Sequence, residues 1–166
     1  MNTIRAERLK YNIKKQGATS VYVMVKDART IDDFFSFDQI LLDAPCSGSG
    51  TLNVENQKLK ATFTPQLISK TVAIQKKLLQ KAVNILKVGS EMVYSTCSIL
   101  EEENEAIINE ILKTNRVEIV PIEKKAMEDL PFLPTKIPGT LCICPNQYYE
   151  GFFIAKLRKT KREFQT

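Results

Sequence analysis

The apolar positions of the chain alternate between short runs and helical stripes. Residues 21–25 (VYVMV) are β-branched and aromatic and predict a strand. Residues 38–43 (DQILLD) predict another, so nearly continuous in apolar character that it suits a parallel strand covered on both faces. Ahead of them, Ala6, Leu9 and Ile13 recur at helical spacing within residues 5–16, and Gly17 ends that helix. Pro65 stands at a favoured first helical position. It opens a long helix to about Lys87, with Ile74, Leu78, Leu79, Ala82 and Leu86 as the buried stripe and Gly89 as the stop. The strand EMVYST (91–96) follows, and Ser98 with Glu101 forms a capping box that opens a helix to about Lys113. VEIVPI (117–122) and GFFIAKL (151–157) are the last predicted strands. Residues 26–33 read as a loop, 44–64 as irregular, and the Pro-rich 123–150 mostly as loop.

Strands alternating with helices imply an α/β fold with a parallel or mostly parallel sheet. Without repeats, low-complexity tracts or a linker, residues 1–166 read as a single domain. Ligands of such sheets bind beyond the carboxyl ends of the strands. Asp27, Asp43, Cys46, Cys97 and Ser98 all fall at such ends, which makes that edge the candidate site.

Composition narrows the chemistry. No apolar run approaches the roughly 18 residues of a membrane span, and no signal peptide is visible. Four cysteines without a secretory signal point to reducing cytoplasm and free thiols. With 24 Lys and Arg against 19 Asp and Glu, the net charge of +5 favours an anionic partner such as nucleic acid. Histidine is absent, which excludes any imidazole base or ligand within the chain, including a Ser-His-Asp triad.

Both central cysteines sit at strand ends. Cys97 follows a strand and precedes a predicted helix start, whose free amides favour a thiolate, while Glu101, Glu102 and Glu103 place opposing charge in the same turn. Position alone fits a small buried hydrophobe equally well. Cys46 follows a stiff Pro45 and precedes Ser47-Gly48-Ser49-Gly50, a loop that allows close backbone approach of a ligand; a turn with an incidental cysteine fits as well.

Together, DAPCSGSGT (43–51) and VYSTCSILEEENE (93–105) resemble the RNA (cytosine-5)-methyltransferases of the RsmB/NSUN type. RAERLKYNIKKQGA (5–18), KDAR (26–29) and PGTLCICPNQYYEGFFIAKL (138–157) extend the resemblance over nearly the whole chain. It implies a class I Rossmann-like methyltransferase fold with S-adenosyl-L-methionine as donor and ribosomal or transfer RNA as substrate. Cys97 would attack carbon 6 of a cytosine, because carbon 5 is too poor a nucleophile until such a bond makes the ring enamine-like. Cys46 would assist release of the product. Asp43 would bond or help protonate nitrogen 3, and would also lie at the donor; Asp27 would contact the donor's adenine end. The target base must leave any stack to meet Cys97.

The resemblance has gaps. The family's glycine-rich first motif, Asp-x-Cys-Ala-Ala-Pro-Gly-Gly-Lys, is not in this sequence, and the acid expected to hold the donor's ribose should lie at or just before Met1, where Asn2 and Thr3 stand. The chain therefore reads as the carboxyl-terminal part of a catalytic domain, truncated at its N-terminus, with an incomplete donor site, an open apolar sheet edge and a strand at 21–25 deprived of its neighbour. Cys142 stands where the family's last motif has arginine, and Val88 and Ser90 flank Gly89 in place of Pro and Gly. Two other readings stay open: an inactive RNA-binding remnant, and a DNA cytosine-5 methyltransferase in which Cys46 attacks and the Thr-Cys-Ser motif goes unexplained. Cys142 and Cys144 lack the partners of a structural zinc site, so no metal is expected. The basic tail 156–163 (KLRKTKRE) and Lys10, Lys14 and Lys15 are solvated faces that RNA could also meet. Phe34, Phe35 and Phe37 read as core.

Overall fold

The computed structural model describes residues 3–51, 63–127 and 129–161, in two compact units, Met1–Asp32 and Asp33–Thr166. The first unit holds helix α1 (Thr3–Lys15), with Lys14 and Lys15 in its last turn, where cations suit the helix dipole. None of its residues is buried, and Leu9 of the expected stripe is half exposed. A 3₁₀ turn, Ala28–Thr30, follows. Residues 21–25 are not a strand: among the described residues nothing pairs with them, and Tyr22 is 85% exposed. Local preference for an extended backbone is not a strand until a neighbour supplies the ladder.

The second unit is a sheet with helices packed on it. Its elements are β1 (Phe37–Asp43), α2 (Pro65–Ile85), β2 (Leu86–Thr96), α3 (Glu105–Leu112), β3 (Val117–Ile119), β4 (Phe132–Leu133), β5 (Leu141–Ile143) and β6 (Phe152–Lys159). The order is β1-β2-β6-β5-β4, with β3 also on β6. Among the described residues only the β1–β2 pair, joined through α2, is parallel; β6 runs antiparallel to β2, β3 and β5, and β4 to β5, so the sheet is mixed. β4 and β5 lie within the Pro-rich stretch expected to be mostly loop. Their alternation is too short to read in isolation, and β6 supplies the template for β5.

Helix α2 begins where Thr64 accepts the Leu67 N–H and Pro65 takes the first position. It stops at Ile85, short of Gly89, because Leu86 enters the sheet opposite Phe37. Its core face is Thr71, Gln75, Leu79, Ala82 and Val83; Ile74 and Leu78 of the expected stripe are only half buried. α2 and α3 cover the same side, where Leu79, Met92, Tyr94, Ile108, Phe153 and Leu157 form the heart of the core. Tyr94 and Phe153 meet edge to face at 6.4 Å. Of the irregular 44–64 segment, residues 52–62 lie outside the described residues.

Among the described residues β1 is an edge strand, covered on one side only. Ile40 and Leu42 pack against the core, while Leu41 is 73% exposed. Phe34, Phe35 and Phe37 are likewise exposed rather than core, with the rings of Phe35 and Phe37 stacked on each other at 5.9 Å. Double coverage and a phenylalanine core both require a layer that no described residue provides. Leu79→Ala is expected to cost about 2–5 kcal/mol, and Leu41→Ala less than about 0.5 kcal/mol, in urea unfolding followed by circular dichroism. Equal losses would contradict one-sided coverage.

Candidate active site

The parallel register of β1 on β2 sets Asp43 opposite Ser95, and the ladder continues with the Ala44 N–H donating to the Ser95 carbonyl at 2.9 Å. Two residues past Ala44 and Ser95, on the two strands, come Cys46, after Pro45, and Cys97. Their Sγ atoms lie 3.1 Å apart, and both side chains are half buried. The Ser95 hydroxyl donates to Asp43 Oδ1 at 3.0 Å, which steadies an otherwise exposed carboxylate at the rim of the same site. Three residues that the sequence singled out, Asp43, Cys46 and Cys97, therefore converge from strands about fifty residues apart.

The loops carrying the thiols are held by buried polar groups. Gln75 Nε2 of α2 donates to the Pro45 carbonyl at 3.0 Å. Glu103, fully buried, accepts the Ser47 N–H at 2.8 Å, the Ser47 hydroxyl at 2.6 Å and the Thr71 hydroxyl at 2.5 Å. On the Cys97 side, Ser49 and Ser98 share a hydroxyl hydrogen bond of 2.8 Å, and Asn104 bridges the Thr96 hydroxyl and the Ser98 carbonyl. Ser98 is thus not half of a capping box. Its Oγ accepts from Leu100, residues 101–103 form a 3₁₀ turn, and α3 begins only at Glu105, so no α-helix N-terminus abuts Cys97. The acidic run is divided as well: Glu101 pairs with Lys136 in solvent, whereas Glu103 turns inward beneath Cys46. Sequence reasoning took that run as one charge. The usable signal was the burial spacing, since Glu103 lies four residues before Ile107 of the core face.

The glycine loop packs closely against the chain itself. Gly50 donates to the Cys97 carbonyl at 3.0 Å and accepts from Gly151 at 2.8 Å. A Cβ at Gly50 would fall 2.1 Å from the Gly151 carbonyl oxygen, so two backbones approach here as only glycine permits.

Electrostatics single out Cys46. Burial first, then the hydrogen bond with Cys97, pushes the Cys46 thiol up to about 12, and the charge of Glu103 adds to the effect. Asp27 lies in the other unit. It caps the 3₁₀ turn, and Arg29 grips its carboxylate, with Nη2–Oδ2 at 2.6 Å, which holds its pKa down at about 2. Cys142 is buried on β5 facing β6, with its thiol raised to about 11, chiefly by burial. The basic tail is in part strand β6: Lys156 and Arg158 pair with Glu91, and Lys159 donates to the Leu86 carbonyl, while residues 162–163 lie outside the described residues. No helix among the described residues is long and apolar enough to cross a membrane.

Solved structures share both this fold and sequence likeness. A methyltransferase homolog protein from Pyrococcus horikoshii superimposes with a TM-score of 0.78 at 30% identity, covering 95% of this chain and 51% of that one. NSun6 from Pyrococcus horikoshii, solved with SFG, gives 0.80 at 30% identity over 96% of this chain and 40% of its own. The fold is accordingly that of the class I S-adenosylmethionine-dependent methyltransferases. Residues 1–158 match the model of the 16S rRNA methyltransferase RsmB/F family, and the chain belongs to that family. Ribosomal RNA small subunit methyltransferase F of Vibrio vulnificus is 34% identical over 93% of the chain, and that of Escherichia coli O1:K1 is 35% identical over 96%. The chain spans about a third of the length of these relatives.

Two outcomes follow from the geometry. Gly50→Ala forces the Gly50 and Gly151 backbones apart and is expected to cost about 1–3 kcal/mol in thermal unfolding; an unchanged melting temperature contradicts the contact. Modification of Cys46 by iodoacetamide, followed by peptide mass spectrometry, is expected to keep rising about tenfold per pH unit between pH 8 and 10. A thiol with the ordinary pKa of about 8.5 levels off across that range, and levelling at Cys46 refutes the proton-bearing thiol.

Proposed function

We propose that this chain carries the cysteine pair of an RNA (cytosine-5)-methyltransferase, as one part of a cytoplasmic catalytic domain that acts on ribosomal or transfer RNA. The observation that carries the reading is the 3.1 Å approach of Cys46 and Cys97 at the carboxyl ends of paired parallel strands. Family membership and a neighbour solved with SFG, an S-adenosylmethionine analogue, support the donor.

In this reading the Cys97 sulfur forms a bond to carbon 6 of an unstacked cytosine, and the displaced electron density makes carbon 5 nucleophilic. Asp43, exposed at the rim and steadied by Ser95, bonds nitrogen 3 as charge builds there. S-adenosyl-L-methionine, when bound, supplies a methyl group on a cationic sulfur. After transfer, solvent water takes the proton at carbon 5, its bonding pair forms the 5,6 double bond, and the bond from carbon 6 to Cys97 breaks with its electron pair returning to sulfur. Cys46, which keeps its proton at neutral pH, donates a hydrogen bond to the departing Cys97 sulfur and so favours release. The donor would lie against Asp43, whose carboxylate is exposed and engaged on one oxygen.

The test incubates the chain with ribosomal RNA and labelled donor and resolves covalent adducts on denaturing gels. Cys97→Ala abolishes the adduct, and Cys46→Ala accumulates it. Reversed effects would assign attack to Cys46, as in the DNA enzymes. RNA binding with a clear salt dependence but no heat of donor binding would mark an RNA-binding remnant instead.

A further inference from the structure

Glu103 is a fully buried carboxylate with no part in the reaction as written above. It nevertheless accepts two hydrogen bonds from the Cys46 loop, where Gln75 and Ser98 make one each. Both of its oxygens are used: Oε1 accepts the Ser47 N–H and the Thr71 hydroxyl, and Oε2 accepts the Ser47 hydroxyl. Thr71 belongs to α2, one turn before Gln75, which holds the Pro45 carbonyl. Residues 45 and 47 are thus fixed on either side of Cys46, by a helix and by the 3₁₀ turn that follows Cys97. The Tyr94 hydroxyl donates to the Glu103 carbonyl at 2.7 Å and anchors that turn to β2, the strand that delivers Cys97.

We propose that Glu103 is a positioning residue for the release step: by clamping Ser47 it holds the Cys46 sulfur against the Cys97 sulfur. This rests on the role given to Cys46 above. The clamp is mechanically direct, because Ser47 is covalently next to Cys46 and its N–H and hydroxyl both end on one carboxylate. It is also electrostatically consistent. The titratable groups facing Cys46 among the described residues are Cys97, Glu103 and Tyr94, and the charge of Glu103 opposes loss of the Cys46 proton. An amide in its place would keep the size but lose the charge, and its NH₂ could not accept from Ser47 or Thr71.

The experiment compares iodoacetamide labelling of Cys46 and Cys97 at pH 8 in the unaltered chain and in Glu103→Gln, with circular dichroism to confirm folding. Labelling at Cys46 is expected to rise about tenfold and labelling at Cys97 to stay within about twofold. A merely structural role would leave the ratio of the two unchanged. Should Glu103→Gln fail to fold, Ser47→Ala removes one of the three bonds and is expected to raise Cys46 labelling about threefold. An unchanged ratio in the folded variant overturns the clamp. If the ratio shifts but Cys97→Ala still forms the RNA adduct, the reaction reading fails and the clamp stands. If Cys97 forms the adduct while Glu103→Gln leaves the ratio unchanged, the reaction reading stands and the clamp fails.

Discussion

The parallel alignment of β1 with β2 governs everything at the candidate site. Asp43 faces Ser95 in that ladder, so the next residues of both strands leave the sheet side by side. A slip of one residue would exchange the faces of β1. It would turn Ile40 and Leu42 out of the core and carry Asp43 away from Ser95. Core burial and site geometry are therefore fixed by the same register. The bulge near the start of the pair, where Phe37 matches Leu86 but Gln39 matches Glu91, absorbs the mismatch at the far end from the thiols.

Beyond the strand ends, hydrogen bonds replace apolar packing as the source of order. Ser49, Thr71, Gln75, Thr96, Ser98, Glu103 and Asn104 are all buried beneath the two loops. Burying such groups is costly unless partners are found, and here the hydroxyls, the Glu103 carboxylate and the Asn104 amide find them within about 3 Å. Directional contacts hold a backbone to one geometry, which apolar packing of short irregular segments does less well. The Gly50–Gly151 contact ties the start of β6 to the same spot, so both sheet neighbours of the site, β1 and β6, are pinned to the Cys97 turn.

Much of this was legible in the residue pattern, and the losses have physical causes. The β1–α2–β2 unit was readable because periodicity, Pro65 and the cysteine motifs agree over long segments. The alignment of Asp43, Cys46 and Cys97 followed from the rule that strand ends converge. Coverage was not legible: LeuLeu at 41–42 looks the same whether one face or both are packed. VYVMV lacked a pairing partner that only three-dimensional neighbours could provide. The short β4 and β5 were invisible for the opposite reason, since β6 organises residues that show little period of their own. At the site, Glu101, Glu102 and Glu103 are one composition but two environments, and only the turn at Asn104 decides which of them faces inward.

Two sulfurs 3.1 Å apart would be interchangeable if their surroundings matched, and the proposed attack and release need them to differ. The fold breaks the symmetry through what lies behind each thiol. Cys46 backs onto α2 and Glu103, where burial and a carboxylate penalise its thiolate. Cys97 backs onto neutral hydroxyls and an amide, those of Ser49, Ser98, Thr96 and Asn104. Loss of the Cys46 proton is therefore opposed from behind. In a chain without histidine, burial and the Glu103 charge keep the proton on Cys46.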